Sequence, residues 1–274
     1  MSQPASIDVA VHADPWDDLR RHTAARLALG RAGDSLPTAE VLRFGLAHAQ
    51  ARDAVHVALD TDALQAAFVE DGNEVLCVRS AAGDRATYLA RPDLGRRLHA
   101  DSAAVLRQRA AADDHAPCDL LLVIADGLSS LAIARNAPAL VAAIRSAAPT
   151  GWQLGPLVIA SQARVALADE VGELLGARMV AMLIGERPGL SSPDSLGIYL
   201  TWAPRVGRSD AERNCISNVR PEGLGYEAAA RKLWWLCGAA RQLQLTGVGL
   251  KDRSDEDRLG VDDPFAPISK PEGT

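Results

Sequence analysis

Arg178-Met179-Val180-Ala181-Met182-Leu183-Ile184-Gly185-Glu186-Arg187-Pro188-Gly189-Leu190 is the stretch on which the reading of the fold turns. Met179 to Ile184 is an almost unbroken apolar run. Such a run suits a strand covered on both faces, as in the middle of a parallel sheet. It stops at a polar turn rich in Gly and Pro, Gly185 to Gly189. Open α/β sheets bind ligands at the carboxyl ends of their strands, which gives Glu186 a candidate binding place. A Glu in such a turn also has plainer uses: capping a neighbouring helix or pairing with Arg187.

The segments around this strand repeat the pattern. Leu120 to Ala125 is a second pure apolar run, ending at Asp126-Gly127. Leu128 to Ala147 reads as a helix in spite of Pro138, Leu157 to Ala160 as a short strand, and Val165 to Leu175 as a helix stopped by Gly176. Leu196 to Trp202 alternates enough for a strand nearer the sheet edge, and Tyr226 to Leu245 reads as a closing helix. Strand, helix, strand, helix, strand is the signature of a doubly wound parallel sheet. The expected fold class is therefore α/β: a mostly helical N-terminal region followed by a Rossmann-like doubly wound sheet.

The N-terminal half reads differently. Asp14-Pro15 starts a helix over Trp16 to Leu29, ended by Gly30 and Gly33. Pro37-Thr38 starts a second helix, and Thr61 to Glu70 forms a third. Glu74–Arg79 and Ala86–Ala90 look like a hairpin turning at Ala82-Gly83-Asp84, and Pro92 opens a fourth helix to about Ala111. The implied organisation is a flexible lead-in (1–13), an N-terminal helical region with a small hairpin (14–113), the sheet domain (114–250) and a charged, Pro-rich tail (251–274) too poor in apolar residues to pack.

Composition narrows the function. With 48% hydrophobic residues the 274-residue chain can build a large core, and a net charge of -6 argues against a nucleic-acid partner, which calls for a basic face. No apolar run approaches the ~20 residues of a membrane helix, and the start lacks the basic and apolar regions of a secretory signal. Cys77, Cys118, Cys215 and Cys237 are too scattered for a zinc site or disulfide framework, so a reducing cytoplasm is expected.

Three strand ends should converge on one sheet edge: Asp126-Gly127, residues 161–165 and Gly185-Glu186. No G-x-G-x-x-G follows the first strand of the sheet domain, no P-loop is present, and no G-x-S-x-G elbow. None of the six histidines falls at a sheet strand end. Asp113-Asp114-His115 has ligand-type residues but precedes a strand, with no glycine-rich continuation. The three arginines of Arg91–Arg97 make either a solvated face or a docking surface for an acidic partner. Cys215-Ile216-Ser217-Asn218 reads as a loop between the last strand and the last helix, where a cysteine is usually a small packed residue. Asp126 at a strand end also permits a receiver-like signalling module, but no lysine occurs before Lys232 to support one.

Four motifs occur together, in order: Tyr88-Leu89-Ala90-Arg91-Pro92-Asp93-Leu94-Gly95-Arg96-Arg97, Asp126-Gly127-Leu128-Ser129, Gly185-Glu186-Arg187-Pro188-Gly189-Leu190 and Cys215-Ile216-Ser217-Asn218. In this order and at this spacing the chain, from about Pro15 to Leu245, resembles the small subunit of ethanolamine ammonia-lyase. The resemblance implies an adenosylcobalamin-dependent carbon–nitrogen lyase of two subunit types, with six copies of each. A large barrel subunit binds the amino alcohol, and the small subunit docks over the cobalamin. Acetaldehyde and ammonia are the products.

It also implies cobalamin contacts at Val165, Glu186 and Cys215, and no catalytic residue in this chain, because substrate contacts belong to the large subunit. Cobalamin is expected to keep its own benzimidazole on cobalt, in keeping with the lack of a D-x-H-x-x-G motif here. Many relatives carry a longer N-terminal extension, partly a targeting peptide for a bacterial microcompartment. Only 13 residues precede Asp14, which favours the cytoplasm over encapsulation. The other class of reading is a scaffold subunit that never touches the cofactor.

Overall fold

The computed structural model describes residues 11–23, 25–112 and 116–255. Most of the expected lead-in and tail, and Asp113-Asp114-His115, lie outside them. Six strands form one sheet: β1 (Val75–Arg79), β2 (Leu120–Ala125), β3 (Leu154–Ser161), β4 (Met179–Gly185), β5 (Leu196–Trp202) and β6 (Arg213–Val219). Their spatial order is β1-β3-β2-β4-β5-β6. The first four are mutually parallel, and β5 and β6 extend the sheet as antiparallel neighbours. The helices are α1 (Thr38–His56), α2 (Thr61–Glu70), α3 (Arg85–Ala90), α4 (Ala100–Ala110), α5 (Ser130–Ser146), α6 (Leu167–Leu174) and α7 (Tyr226–Leu243).

The apolar runs explain the centre. Every residue of β2 and β4 is buried, and the two strands pair in register from Leu120↔Met179 to Ala125↔Ile184. Alternate side chains then feed two layers, because successive residues of a strand point to opposite faces. Leu122, Ile124, Ile159 and Leu183 pack with α2, α5 and α7. Leu121, Val123, Val158 and Met182 pack with α4 and α6. In β5, Leu196, Ile198 and Leu200 join the first layer, so only one of its faces is fully apolar. The second layer stops short of β6, where Cys215 and Ser217 are exposed.

Four expectations are corrected. The hairpin does not form. β1 pairs in parallel with β3, Val75↔Leu157 to Arg79↔Ser161, and residues 85–90 are helical because Asp84 caps them, accepting from the Thr87 N–H at 2.7 Å. A strand from within residues 14–113 thus belongs to the main sheet. The Trp16–Leu29 helix shrinks to one 3-10 turn, Asp17–Arg21. Leu19 stays 45% exposed, and a short isolated helix is marginal without packing.

The helix expected from Pro92 begins only at Ala100. Residues 97–99 are held instead by the exit of β1, with Ala81 N–H donating to Arg97 and His99 N–H to Arg79. Lastly, Cys215 to Asn218 is not loop but part of β6. Its sequence, with Asn214, Ser217 and Asn218, lacks the apolar alternation that marks a strand, as befits an edge. α1, α2, α5 and α7 form close to where their sequence patterns place them.

Candidate functional site

The strand ends do converge, but they close on one another. The Asp126 carboxylate is 1% exposed. It accepts from Gln162 N–H at 2.9 Å and Ala163 N–H at 3.1 Å, both at the exit of β3, and from Arg85 Nη1 at 3.0 Å. Burial pushes its carboxyl above the usual range, while the Arg85 charge and the backbone donors pull it back. Leu128 N–H donates to the Gly185 carbonyl at 2.9 Å, tying β2 to β4. This approach requires Gly127, at φ +54°, since a Cβ there would lie 2.3 Å from the Gly185 oxygen. Such an Asp126 has no room to act as a phosphoacceptor.

The open surface lies one strand further along. Glu186, directly after β4, is half-buried. It neither caps a helix nor pairs with Arg187 among the described residues. Its carboxylate accepts from the Asn218 N–H of β6, at 3.2 and 3.4 Å to its two oxygens. Asn218 has a left-handed backbone, φ +58°. Between them stands Gly197 of β5, where a Cβ would meet the Glu186 carboxylate at 3.0 Å and the Tyr199 ring at 3.3 Å. The missing side chain therefore lets Glu186 and Tyr199 approach across the strand.

Tyr199 is opposite Cys215 in the β5–β6 ladder. Burial holds its hydroxyl protonated well above the usual phenol range, reinforced by the Cys215 thiol and the Glu186 charge. Cys215 is exposed rather than packed, with its Sγ 3.2 Å from Ser217 Oγ. Val165 lies in the turn that leads into α6, half-buried against the same apolar layer as Tyr199. Glu186 and Cys215 are thus linked through Tyr199, and Val165, beyond the end of β3, is two strands from Glu186 and four from Cys215.

A buried ion pair fixes the corner. Arg213 of β6 donates from Nη1 and Nη2 to the two oxygens of Asp169 on α6, at 2.6 and 2.7 Å, and from Nη1 to Thr201 Oγ1 of β5 at 2.9 Å. Both side chains are 2% exposed. Removing one partner of such a pair is far more costly than replacing both by apolar residues. Sequence reading missed Tyr199, Asn218 and this pair. Their partners are 16, 32 and 44 residues away, beyond any local pattern.

The arginines of Arg91–Arg97 have internal partners. Arg91 donates to Asp93 at 2.7 and 2.9 Å and Arg97 to Glu170 at 3.0 Å, while Arg96 lies 3.9 Å from Asp210. No group of His, Cys, Asp and Glu suited to a metal ion occurs among the described residues, and no described helix is long and apolar enough to cross a membrane.

The chain as a whole is similar to known proteins. The family model "Ethanolamine ammonia-lyase light chain" matches residues 13–251. The chain belongs to this family. It is 56% identical over 257 residues to the ethanolamine ammonia-lyase small subunit of Pseudomonas syringae pv. tomato, covering 93% of this chain and 89% of the relative. It is 58% identical to that of Ralstonia nicotianae, over 89% and 91% of the two chains, and 57% identical to that of Azotobacter vinelandii, over 90% and 91%. Those relatives are matched through nearly their whole length, so all four quoted motifs fall within the shared region.

Proposed function

We propose that the chain is the small subunit of ethanolamine ammonia-lyase, acting in the cytoplasm with a large barrel subunit, six copies of each, and that Val165, Glu186 and Cys215 contact adenosylcobalamin. Family membership over residues 13–251 carries the reading. The exposed Cys215, Ser217 and Asn218 of β6 beside Glu186 support it, since β2 and β4 are buried throughout. We read the sheet as a Rossmann-like variant, with β2 flanked by β3 and β4 and the cofactor taken at their carboxyl ends.

The residues suit the cofactor chemically. A corrin rim carries amide groups with N–H donors, and the half-exposed Glu186 carboxylate is a strong acceptor for them. Asn218 N–H already holds that carboxylate in place, so little ordering is left for binding to accomplish. Val165 offers an apolar wall. Cys215, Tyr199 and Gly197 give a shelf with little side-chain bulk at its centre. When bound, adenosylcobalamin supplies the radical that starts the conversion of ethanolamine to acetaldehyde and ammonia. The small subunit's part is to orient the cofactor and, with the large subunit, to exclude water around it.

The test is reconstitution. The purified chain with ethanolamine and adenosylcobalamin is expected to make no acetaldehyde. Adding the large subunit should give acetaldehyde and a complex that retains cobalamin absorbance through gel filtration. Acetaldehyde from the chain alone, or a complex equally active and equally cobalamin-loaded without it, would refute the proposal.

A further inference from the structure

α1 is a 19-residue helix in which only Glu40 and Ala54 are buried. It is anchored at its two ends. Near its start, Arg20 donates to Glu40 at 3.3 Å and Arg43 to the same carboxylate. At its end, Arg85 Nε donates to the Val55 carbonyl at 2.7 Å, and Ser130 Oγ to that of Val57 at 2.7 Å. The two turns between these anchors face solvent with large apolar side chains: Val41 52%, Leu42 68%, Phe44 48% and Leu46 61% exposed. Leu42 and Leu46 lie one turn apart on the same stripe. Of the sixteen large apolar side chains exposed among the described residues, nine lie within residues 11–57. Scattered exposed leucines need no explanation, but a concentration on one element does.

A cationic cavity of about 320 Å³ opens beside this stripe, lined by Arg20, Arg26, Arg43 and Glu40 on one side and by Leu190 and Ser191 on the other. Arg26 stacks on the Phe44 ring, its guanidinium carbon 5.3 Å from the centroid. Arg20 and Arg43 pair with the buried Glu40, Arg20 also with Asp17 at 3.4 Å, and Arg26 adds a third positive charge over the Phe44 ring, which leaves the cavity a net positive charge for an incoming acid. Leu190 and Ser191 belong to the turn that begins at Glu186. The cavity beside the stripe is therefore walled by the same turn that carries the proposed cofactor contact Glu186.

These features select among occupants. A second copy meeting this patch about a two-fold axis would set the same arginines against each other, and like charges facing across an interface disfavour it. A different protein that closes over the cofactor lies on the right side to reach both. We infer that the exposed stripe of α1, with the Arg20–Arg26–Arg43 cavity, docks onto the large subunit, which contributes an apolar groove and an acidic side chain. The inference rests on the function proposed above and names the surface through which that partner is held.

The experiment compares the full chain with its Leu42→Gln/Leu46→Gln variant, both titrated with the large subunit. Both side chains are mostly exposed, and glutamine is a good helix former. The free variant should melt as the wild type does and elute at the same size, while binding the large subunit at least ten-fold more weakly. Should the double variant melt lower, Leu42→Ala carries the same test with a smaller expected loss. Wild-type affinity in the variants overturns the inference and leaves the proposed function standing. So does a change confined to the size of the free chain, which would make the stripe a contact between copies. A wild-type chain that fails to bind the large subunit overturns the proposed function, and the inference with it.

Discussion

Asp126 and Glu186 occupy equivalent places, each following a fully buried strand of the same sheet and each accepting backbone N–H groups from a distant segment. They differ in what surrounds them. Asp126 is sealed by α3, whose Arg85 pairs with it from one side while β3 donates from the other. The Glu186 side chain accepts only from the edge strand β6 among the described residues, beside Gly197 and Tyr199 of β5 and the exposed Cys215. A carboxylate at a strand end is thus a staple where a helix closes over it and stays accessible to a ligand where none does. The position is legible from sequence, but the covering is not.

The comparison breaks most visibly at the sealed carboxylate. Asp126→Ala takes from the Arg85 guanidinium, itself 90% buried, its carboxylate partner, and from the Gln162 and Ala163 N–H groups their acceptor. Removing one partner of a buried pair costs about 3–5 kcal/mol. For a chain of this size that corresponds to a fall in melting temperature of about 10 °C. Thermal unfolding of the purified chain measures it. A loss of only a degree or two would mean that the corner relaxes and that Asp126 is not a staple.

The open carboxylate should respond in the opposite sense. Glu186→Gln keeps an acceptor for Asn218 but loses the charge. Hydrogen bonds to charged groups contribute about 1.5–3 kcal/mol, so cobalamin affinity of the reconstituted complex should fall about ten-fold or somewhat more. The melting temperature of the free chain should stay within about 2 °C, because the contact with Asn218 is long and half-exposed. If the melting temperature drops and cobalamin binding does not, Glu186 is a staple like Asp126 and the proposed contact falls.

How much of this could be read beforehand follows from the range of the interactions. The centre of the sheet was readable because a strand covered on both faces must be apolar throughout, as Leu120–Ala125 and Met179–Ile184 are. α2 was readable because Asp60 and Asp71-Gly72 bracket it locally. β1 was misplaced in a hairpin because its true partner, β3, is some eighty residues away and leaves no trace in the five residues of the strand. β6 reads as loop in the sequence because an edge strand with one exposed face tolerates Asn214, Ser217 and Asn218. That error also hid how Cys215 comes to face Tyr199. The motif resemblance pointed to Glu186 and Cys215, but the Asn218 N–H and Tyr199 that join them emerge only from the folded sheet.

A smaller effect sharpens the comparison by way of the loop that enters β6. Ser209 and Glu212 form a capping box: Ser209 N–H donates to Glu212 Oε2 at 2.7 Å, Ser209 Oγ donates to the same oxygen at 3.1 Å, and Arg208 pairs with Oε1. The Ser209 backbone donor above all, then Arg208 and the Ser209 hydroxyl, hold the Glu212 carboxyl down to about 2 from an ordinary value of 4.5. A carboxyl lowered in the folded state contributes stability that is fully present above its unfolded value and is lost as pH falls through its folded one. The window therefore runs from about pH 4.5 down to about pH 2. Glu212→Gln cannot titrate, so the difference in stability between wild type and variant should be present at pH 7, shrink below pH 4.5 and be mostly, not wholly, lost at pH 2.5. Urea midpoints at those three values measure it, and acids elsewhere cancel because both chains share them. The difference should be small at every pH, since the pair is solvent-exposed and screened. A difference that is the same at all three values would show that Glu212 does not titrate in this window.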